Sequence, residues 1–219
     1  MLALLRITCR FAIGRFGFQT AVSVQMSDEL PIHAAAIDGD LDALENELSK
    51  GVSIDAASEE TFTAGDTPLS LAAAAGQVKA LQFLLERKAS LESVNKHGQS
   101  ALHQACVNKE VGTANLLLDC KAQIDKCCSH NWTPLMYACH NGADACVKVL
   151  LERKADTTIK ASGGIVQADS IVDAVGRTAL EISTLRKQDS IVALLRSATS
   201  APAASAASTA SSPSDGITS

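Results

Sequence analysis

The side chains best suited to chemistry in this sequence are its thiols and imidazoles. Cys127, Cys128 and His130 lie close together in the chain, and Cys139 and His140 follow further along. Zinc sites in proteins use these ligands and usually space their cysteines as C-x₂-C pairs, which are absent here. Adjacent residues of an extended hairpin also point to opposite sides. We therefore interpret these residues as structural, and predict no metal site and no other cofactor.

The rest of the sequence shows no recognisable catalytic motif. No serine, cysteine or carboxylate stands where it would form a nucleophile pair with His33 or His103. The Gly163-Gly164 pair lacks the Lys-Ser/Thr that follows in a phosphate-binding loop. We predict that the protein is not an enzyme. The alternative is a regulatory or enzymatic subunit that uses the segment 161–175 or a Cys/His site.

The elements that would position these residues come from an internal repeat. Residues 131–138 resemble residues 98–105, and these resemble residues 65–72, each copy starting 33 positions after the one before it. More divergent copies occupy residues 28–35 and 176–183. Similarity at a fixed period of this length indicates a solenoid of stacked units.

Each copy begins with a helix start signal. Thr67 and Thr133 are natural N-caps, and Pro68 and Pro134 suit the first helical position because the N–H that proline lacks would be unpaired there. A second apolar run follows, with the spacing of a helix that buries one side. Its residues are Val78, Leu81, Leu84 and Leu85, then Val111, Ala114, Leu117 and Leu118, then Asp144, Val147, Leu150 and Leu151.

The repeated Thr-Pro-Leu-x-x-Ala pattern resembles the ankyrin-repeat family, whose signature is Thr-Pro-Leu-His-x-Ala. The resemblance implies an all-α repeat solenoid of ankyrin-type helix-turn-helix repeats with hairpin loops. His33 and His103 fill the histidine position, and we expect them to bridge neighbouring loops. The resemblance covers an ankyrin-repeat domain over residues 28–197, with about five repeats. Their expected bounds are 28–60, 65–97, 98–130, 131–160 and 176–197, with an insertion at 161–175.

The repeat also gives expectations for its buried cysteines and for the lysines that follow its second helices. Cys106 and Cys139 are one period apart at a small buried position of the first helix, so we expect them, with Cys146, to fill the core as free thiols. Many ankyrin repeats carry glycine, in a left-handed conformation, after the second helix. Here lysine occupies that position in three repeats, as Lys88, Lys121 and Lys154. A left-handed conformation should cost about 1 kcal/mol of stability at each of these lysines.

The segments outside the regular period are the most individual parts of the chain. The tip at residues 58–62 is predicted to be a longer finger. The fourth and fifth copies start 45 residues apart instead of 33, so the insertion 161–175 is expected to form a loop. Residues 198–219 are rich in Ala, Ser and Pro and are predicted to be a disordered tail.

Residues 1–27 form an N-terminal extension with two interpretations of equal weight. Its only charges are Arg6, Arg10 and Arg15, set among apolar residues, as in a mitochondrial transit peptide. Alternatively, Met26 is the true start. The expected location is cytoplasmic, or mitochondrial if residues 1–25 are a functional presequence.

The predicted function is therefore binding: a protein-protein interaction module or scaffold whose concave face holds an unidentified protein or peptide. The net charge of −5 gives no reason to expect nucleic acid, no apolar run is long enough to span a membrane, and two polar ends indicate a monomer. Trp132 has two interpretations, an exposed anchor of the interface or a side chain that packs on the neighbouring hairpin, and the second is slightly favoured. His97, His130 and His140 are interpreted as a ladder along the groove, or as unrelated surface residues. The partner-binding residues implied by the resemblance are Lys96, His97, Gln99, Val107, Asn108, Ser129, His130, Trp132, His140, Asn141, Arg177, Leu185 and Arg186.

Overall fold

The computed structural model describes residues 31–59, 64–163, 165–167, 170–172 and 175–200. Over these residues the chain forms five consecutive pairs of antiparallel helices. The predicted extension 1–27 lies outside the described residues, as do residues 60–63 of the first finger and 201–219 of the tail. The last helix continues to Ser200, inside the segment predicted to be the tail.

The first helices of the five pairs are α1 (Pro31–Asp38), α3 (Pro68–Ala74), α5 (Ala101–Asn108), α7 (Pro134–Asn141) and α9 (Ala179–Leu185). The second helices are α2 (Leu41–Ser49), α4 (Val78–Glu86), α6 (Val111–Asp119), α8 (Asp144–Glu152) and α10 (Asp189–Ser200). Two short strands, β1 (Ile165–Gln167) and β2 (Ser170–Val172), lie between α8 and α9.

The helices start where the capping residues predict. The Thr67 hydroxyl accepts the backbone N–H of Ser70, and the Thr133 hydroxyl accepts that of Met136, both at 3.3 Å. Each of these threonines is followed by proline at the first helical position. These local interactions satisfy N–H groups that have no partner within the helix. The sequence signal and the observed helix starts therefore agree.

The core is a continuous row of apolar side chains between neighbouring helix pairs. Leu69, Leu102 and Leu135 occupy the same place in successive repeats and are at most 1 % exposed. Alanines between the first helices, such as Ala72 and Ala105, are fully buried and allow α3, α5 and α7 to pack closely. Each helix pair thus buries its apolar side against its neighbours, as expected for a solenoid.

The predicted apolar stripe of the second helices is largely confirmed. Leu81, Leu84, Ala114, Leu117, Val147 and Leu150 are completely buried. Leu85, Val111, Asp144 and Leu151 are half-buried, and Val78, in the first turn of α4, is 40 % exposed.

Lysines take left-handed backbone conformations at the positions predicted from the repeat. Lys88, Lys121 and Lys154 have φ of 66°, 68° and 63°. Lys109 and Lys187 do the same after the first helices α5 and α9. All five follow the C-terminal end of a helix, where a positive charge gains about 0.3–1 kcal/mol from the helix dipole. This gain offsets part of the cost of the left-handed conformation and explains why lysine is tolerated there.

Backbone hydrogen bonds join successive hairpin tips into a ladder. The N–H of Lys96 donates to the carbonyl of Ala64 at 3.1 Å, that of Ser129 to His97 at 3.0 Å, and that of Ser162 to His130 at 3.0 Å. We call these three bonds the tip ladder. They fix the tips in one row along the side of the solenoid that the first helices also form.

Glycine is required where the tips approach one another. Gly65 and Gly98 have φ of 83° and 74°, and a Cβ at either position would meet the backbone of the next tip at 2.9 Å or less. A side chain there would push the neighbouring tips apart and break the tip ladder.

A second ladder of hydrogen bonds joins the loops that follow the second helices. Carboxylates accept backbone N–H groups of the next repeat: Asp55 from Ser90 at 2.9 Å, Glu92 from Gln123 at 2.9 Å, and Asp125 from Asp156 at 2.8 Å. Neighbouring repeats are therefore linked by two sets of polar contacts as well as by the core.

The insertion extends the tip between the fourth and fifth repeats. The N–H of Ala161 donates to the carbonyl of Arg177 at 3.0 Å, and that of Gly176 to Ala161 at 2.8 Å, which closes the base of this tip. Beyond the base, β1 and β2 pair antiparallel, with Val166 opposite Ile171. The segment predicted as a loop thus contains a short β-hairpin.

Replacing lysine by glycine should stabilise the protein where the lysine has a left-handed backbone and destabilise it inside a helix. Lys154→Gly should raise the free energy of unfolding by about 0.5–1 kcal/mol, because glycine adopts positive φ without strain. Lys148→Gly, inside the neighbouring helix α8, should lower it by about 1 kcal/mol. Urea unfolding of both variants checks this, and destabilisation by both substitutions would contradict it.

Candidate partner-binding surface

The hairpin tips and the outward positions of the first helices lie on the same side of the solenoid, and we call this side the tip surface. In its central part Lys96, His97, Ser129 and His130 are exposed, as the sequence predicted. The tip ladder runs through these four residues, so their backbone positions are fixed relative to one another.

A hydrogen-bonded network of polar side chains lies beside these tips. The Gln99 Nε2 donates to the Tyr137 hydroxyl at 2.7 Å, and the Gln99 Oε1 accepts from Asn95 and Gln104, both at 3.2 Å. Gln99 was predicted as a binding residue. The structure shows that it also connects the second, third and fourth repeats through these contacts, because Asn95 and Gln104 both reach Asp66.

Asp66 is the charged member of this network, and it is 5 % exposed. Its Oδ1 accepts from Asn95 at 3.1 Å, Ser70 at 3.2 Å and Gln104 at 3.4 Å. Burial raises the pKa of Asp66 to about 6, although the three hydrogen bonds and the nearby His97 act to lower it.

Of the two interpretations of Trp132, the exposed anchor is wrong. It is completely buried, and its indole N–H donates to the carbonyl oxygen of Gly163 at 2.8 Å. Its ring packs against Tyr137 at 5.2 Å and His140 at 5.7 Å between centroids. The alternative of packing on a neighbouring hairpin is therefore the right one, and that hairpin is the base of the insertion.

His140 is also buried, at 1 % exposure, so the predicted ladder of His97, His130 and His140 does not form. Both of its ring nitrogens are enclosed without a hydrogen-bond partner among the described residues. Burial lowers the pKa of His140, and the charge of Arg186 lowers it further. The aromatic environment of Trp132 accounts for this position, because a neutral imidazole packs as an aromatic ring.

The outward positions of α5 and α7 carry small amides and one apolar side chain. Val107, Asn108 and Asn141 are half-buried. The amide N–H₂ of Asn108 donates to the carbonyl of Gln104 at 2.9 Å, and that of Asn141 to Tyr137 at 3.0 Å. The two asparagines therefore hold the same orientation one repeat apart.

The remaining predicted residues lie at the C-terminal end of the surface. Arg177 is half-buried at the base of the insertion, while Leu185 and Arg186 are exposed on and after α9. The Arg186 Nε donates to the carbonyl of His140 at 3.4 Å, which places the guanidinium beside the end of α7.

The thiols occupy three kinds of position. Cys106, Cys139 and Cys146 are free and fully buried between repeats, which confirms them as core residues. Cys127 is exposed, whereas Cys128 is buried with its sulfur 3.6 Å from the Tyr137 hydroxyl. Within the described residues, no three His, Cys, Asp or Glu side chains lie close enough to hold a metal ion.

The repeat histidines link neighbouring hairpins, as predicted. The His33 Nε2 donates to the carbonyl of Ala56 at 2.7 Å, and the His103 Nε2 to that of Trp132 at 3.1 Å. The other ring nitrogen of His103 accepts the N–H of Ser100 at 3.1 Å, which fixes one neutral tautomer. Burial lowers the pKa of His103 to about 4.

Three contributors to this surface were missed from the sequence: Asp66, Tyr137 and Gly163. Asp66 stands directly before a helix-capping threonine, a position where a carboxylate has an ordinary local role. Gly163 was considered only as part of a phosphate-binding loop, for which the sequence lacks the other residues. The one signal of their contact is that Trp132 stands 31 residues before Gly163, close to the repeat period of 33.

Helix pairs stacked in one direction, with a row of hairpin tips on one side, define a helical repeat solenoid. The family model for ankyrin repeats matches the chain in three copies, over residues 32–128, 88–161 and 125–204. The chain belongs to the ankyrin-repeat family. No curated protein matches the sequence. The described residues contain no helix with the length and apolar character needed to cross a bilayer.

Two of the buried titratable groups, His103 and Asp66, give opposing effects of pH on stability. Below pH 6.5 the unfolded chain protonates His103 while the folded protein does not, so stability falls as the pH drops towards 4. Between pH 6 and 3.8 the folded protein protonates Asp66 while the unfolded chain does not, so stability rises as the pH drops.

Asp66→Asn should therefore lose stability more steeply than the wild type between pH 6.5 and 4. The amide mimics the protonated carboxyl and removes the compensating effect, which amounts to about 2 kcal/mol. Urea unfolding at several pH values measures the difference. Parallel pH profiles for the two proteins would show that Asp66 does not titrate in this range.

The burial of Trp132 predicts a large loss of stability on truncation. Trp132→Ala should lower the free energy of unfolding by about 3–5 kcal/mol, because it leaves a cavity below the base of the insertion. Lys96→Ala on the exposed tip should change it by less than about 0.5 kcal/mol. Thermal and urea unfolding of both variants check this, and an unchanged midpoint for Trp132→Ala would be inconsistent with its burial.

Proposed function

We propose that the protein is a non-enzymatic interaction module that holds a protein or peptide partner on the concave face of the ankyrin stack, which corresponds to the tip surface. Ankyrin repeats generally mediate protein-protein interaction. The observation that carries the proposal is the tip ladder, because it holds side chains from consecutive repeats in a fixed row. A fixed row binds with less loss of conformational entropy than mobile loops do.

The proposed contact set is smaller than the set implied by the sequence. Trp132 and His140 support the surface from beneath, so we assign them no direct contact. The exposed and half-buried residues remain: Lys96, His97, Gln99, Val107, Asn108, Ser129, His130, Asn141, Arg177, Leu185 and Arg186.

The alternative, a regulatory or enzymatic subunit acting through residues 161–175 or a Cys/His site, has less support. Cys127 is exposed while Cys128 packs into the protein against Tyr137. His140, which would complete such a site, packs against Trp132. For the location, we propose the cytoplasm, with mitochondria as the alternative if residues 1–25 act as a presequence.

Site-specific photo-cross-linking tests the proposed face. A benzophenone amino acid at Asn108, on the outward side of α5, should form an adduct with another protein in native extract. The matched control is the same amino acid at Val78, which is 40 % exposed on the second helix α4.

An adduct at position 108 and none at position 78 is the expected result. Asn141→Arg, one repeat away from the probe, should reduce the adduct by placing a long charged side chain on the same surface. Adducts of equal yield at both positions, or at position 78 alone, would contradict the assignment of the face.

A further inference from the structure

The floor of the tip surface is polar in the third and fourth repeats. Gln99, Gln104, Asn108 and Asn141 are half-buried, and their amides present hydrogen-bonding groups along the surface. The aromatic side chains Trp132 and Tyr137 are buried beneath them. Such a floor suits the backbone of an extended peptide better than the apolar side of a helix, which needs an apolar groove.

Positive charges stand along the rim of this floor. Lys96 is exposed on the tip between the second and third repeats, and Lys160 (exposed) and Arg177 (half-buried) lie at the base of the insertion. The carbonyl of Lys160 accepts from the Asn131 amide at 2.6 Å, which ties it to the tip of the fourth repeat. Arg186 adds a fourth cation on the opposite side, beside the end of α7.

Among the described residues, the carboxylates of Glu181 and Asp66 lie close to this surface. Glu181 accepts the N–H of Thr178 at 2.7 Å and its hydroxyl at 3.1 Å, and Lys160 and Arg177 lie nearby. Asp66 is buried and accepts three hydrogen bonds. Glu181 keeps its negative charge and offsets part of the positive charge of Lys160 and Arg177, so among these described residues the four cations outnumber it, although the whole chain has a net charge of −5.

The spacing of the repeats sets the length of a matching ligand. Neighbouring packed helices lie about 8–10 Å apart, so the tips from Lys96 to Arg177, two repeats apart, span roughly 20 Å. An extended chain covers this distance with about six residues, since each adds about 3.3 Å.

We infer that the partner segment held by the tip surface is an extended, acidic peptide. The amides of Gln104, Asn108 and Asn141 pair with its backbone, while Lys96, Lys160 and Arg177 pair with its carboxylates. This inference rests on the proposed function, and it adds the chemistry of the ligand. Positive charge at the rim and hydrogen-bonding groups on the floor are the complementary features that carry it.

An unbiased selection tests this chemistry. A library of random twelve-residue peptides is panned against the full chain, and the recovered peptides are measured by fluorescence anisotropy. We expect enrichment of Asp and Glu, and binding that weakens as salt rises from about 50 to about 500 mM, because charges in contact with solvent are screened. A single-stranded oligonucleotide of similar length is titrated in parallel.

Charge reversal identifies the binding site. The double variant Lys96→Glu and Arg177→Glu should bind the recovered peptides about tenfold more weakly, as two attractions become repulsions. The control variant, Lys79→Glu and Lys148→Glu, places the same charges on the second helices α4 and α8 and should change binding less than about twofold. Both changes are at the surface and should leave the unfolding midpoint near that of the wild type.

The peptide selection and the cross-linking experiment together distinguish the acidic-peptide inference from the proposed function. Recovered peptides without an excess of acidic residues, equal losses in the two double variants, or tighter binding of the oligonucleotide would each overturn the acidic-peptide inference. If the cross-link at position 108 still forms in these cases, the proposed function stands without this ligand. No enriched peptide and no cross-link would overturn both.

Discussion

The stacking of each helix pair on its neighbours is the constraint on which the other features depend. A short helix pair cannot bury its apolar side alone, so Leu69, Leu102 and Leu135 find their contacts between repeats. The stack brings the backbone of one tip within hydrogen-bonding distance of the next, which forms the tip ladder. A row of ordered side chains on one surface is therefore a direct consequence of how the core is built.

The buried aromatic cluster connects this stack to its least regular part. Trp132 donates to the carbonyl of Gly163, and His103 of the preceding repeat donates to the carbonyl of Trp132. The third repeat, the fourth repeat and the base of the insertion are thus linked through one residue. The insertion begins from an ordered base next to Arg177, and this places a charged group beside the row of tips.

The sequence predicted the fold well because the fold follows from local and periodic signals. The capping threonines, the helix-start prolines and the stripe around Leu81 and Leu117 each act within one repeat, and the period itself implies the stacking.

The surface was predicted less well. Trp132 and His140 occupy outward positions of the repeat, and each is covered by a distant residue. Trp132 contacts Gly163, which belongs to the insertion, and His140 contacts Arg186, which stands 46 residues further along the chain. Asp66 likewise acquires its role from Asn95, at the far end of its own repeat, and from Gln104 of the next repeat. Such contacts depend on tertiary neighbours that a repeat pattern does not contain.

Amide hydrogen exchange at the tips tests the central claim most directly. If the tip ladder couples the repeats, the N–H groups of Lys96, Ser129 and Ser162 should exchange as slowly as those inside α5 and α7, although they lie on surface hairpins. Exchange of these three amides at the rate of unprotected loops would show that the tips are not joined, and the account of an ordered binding row would fail.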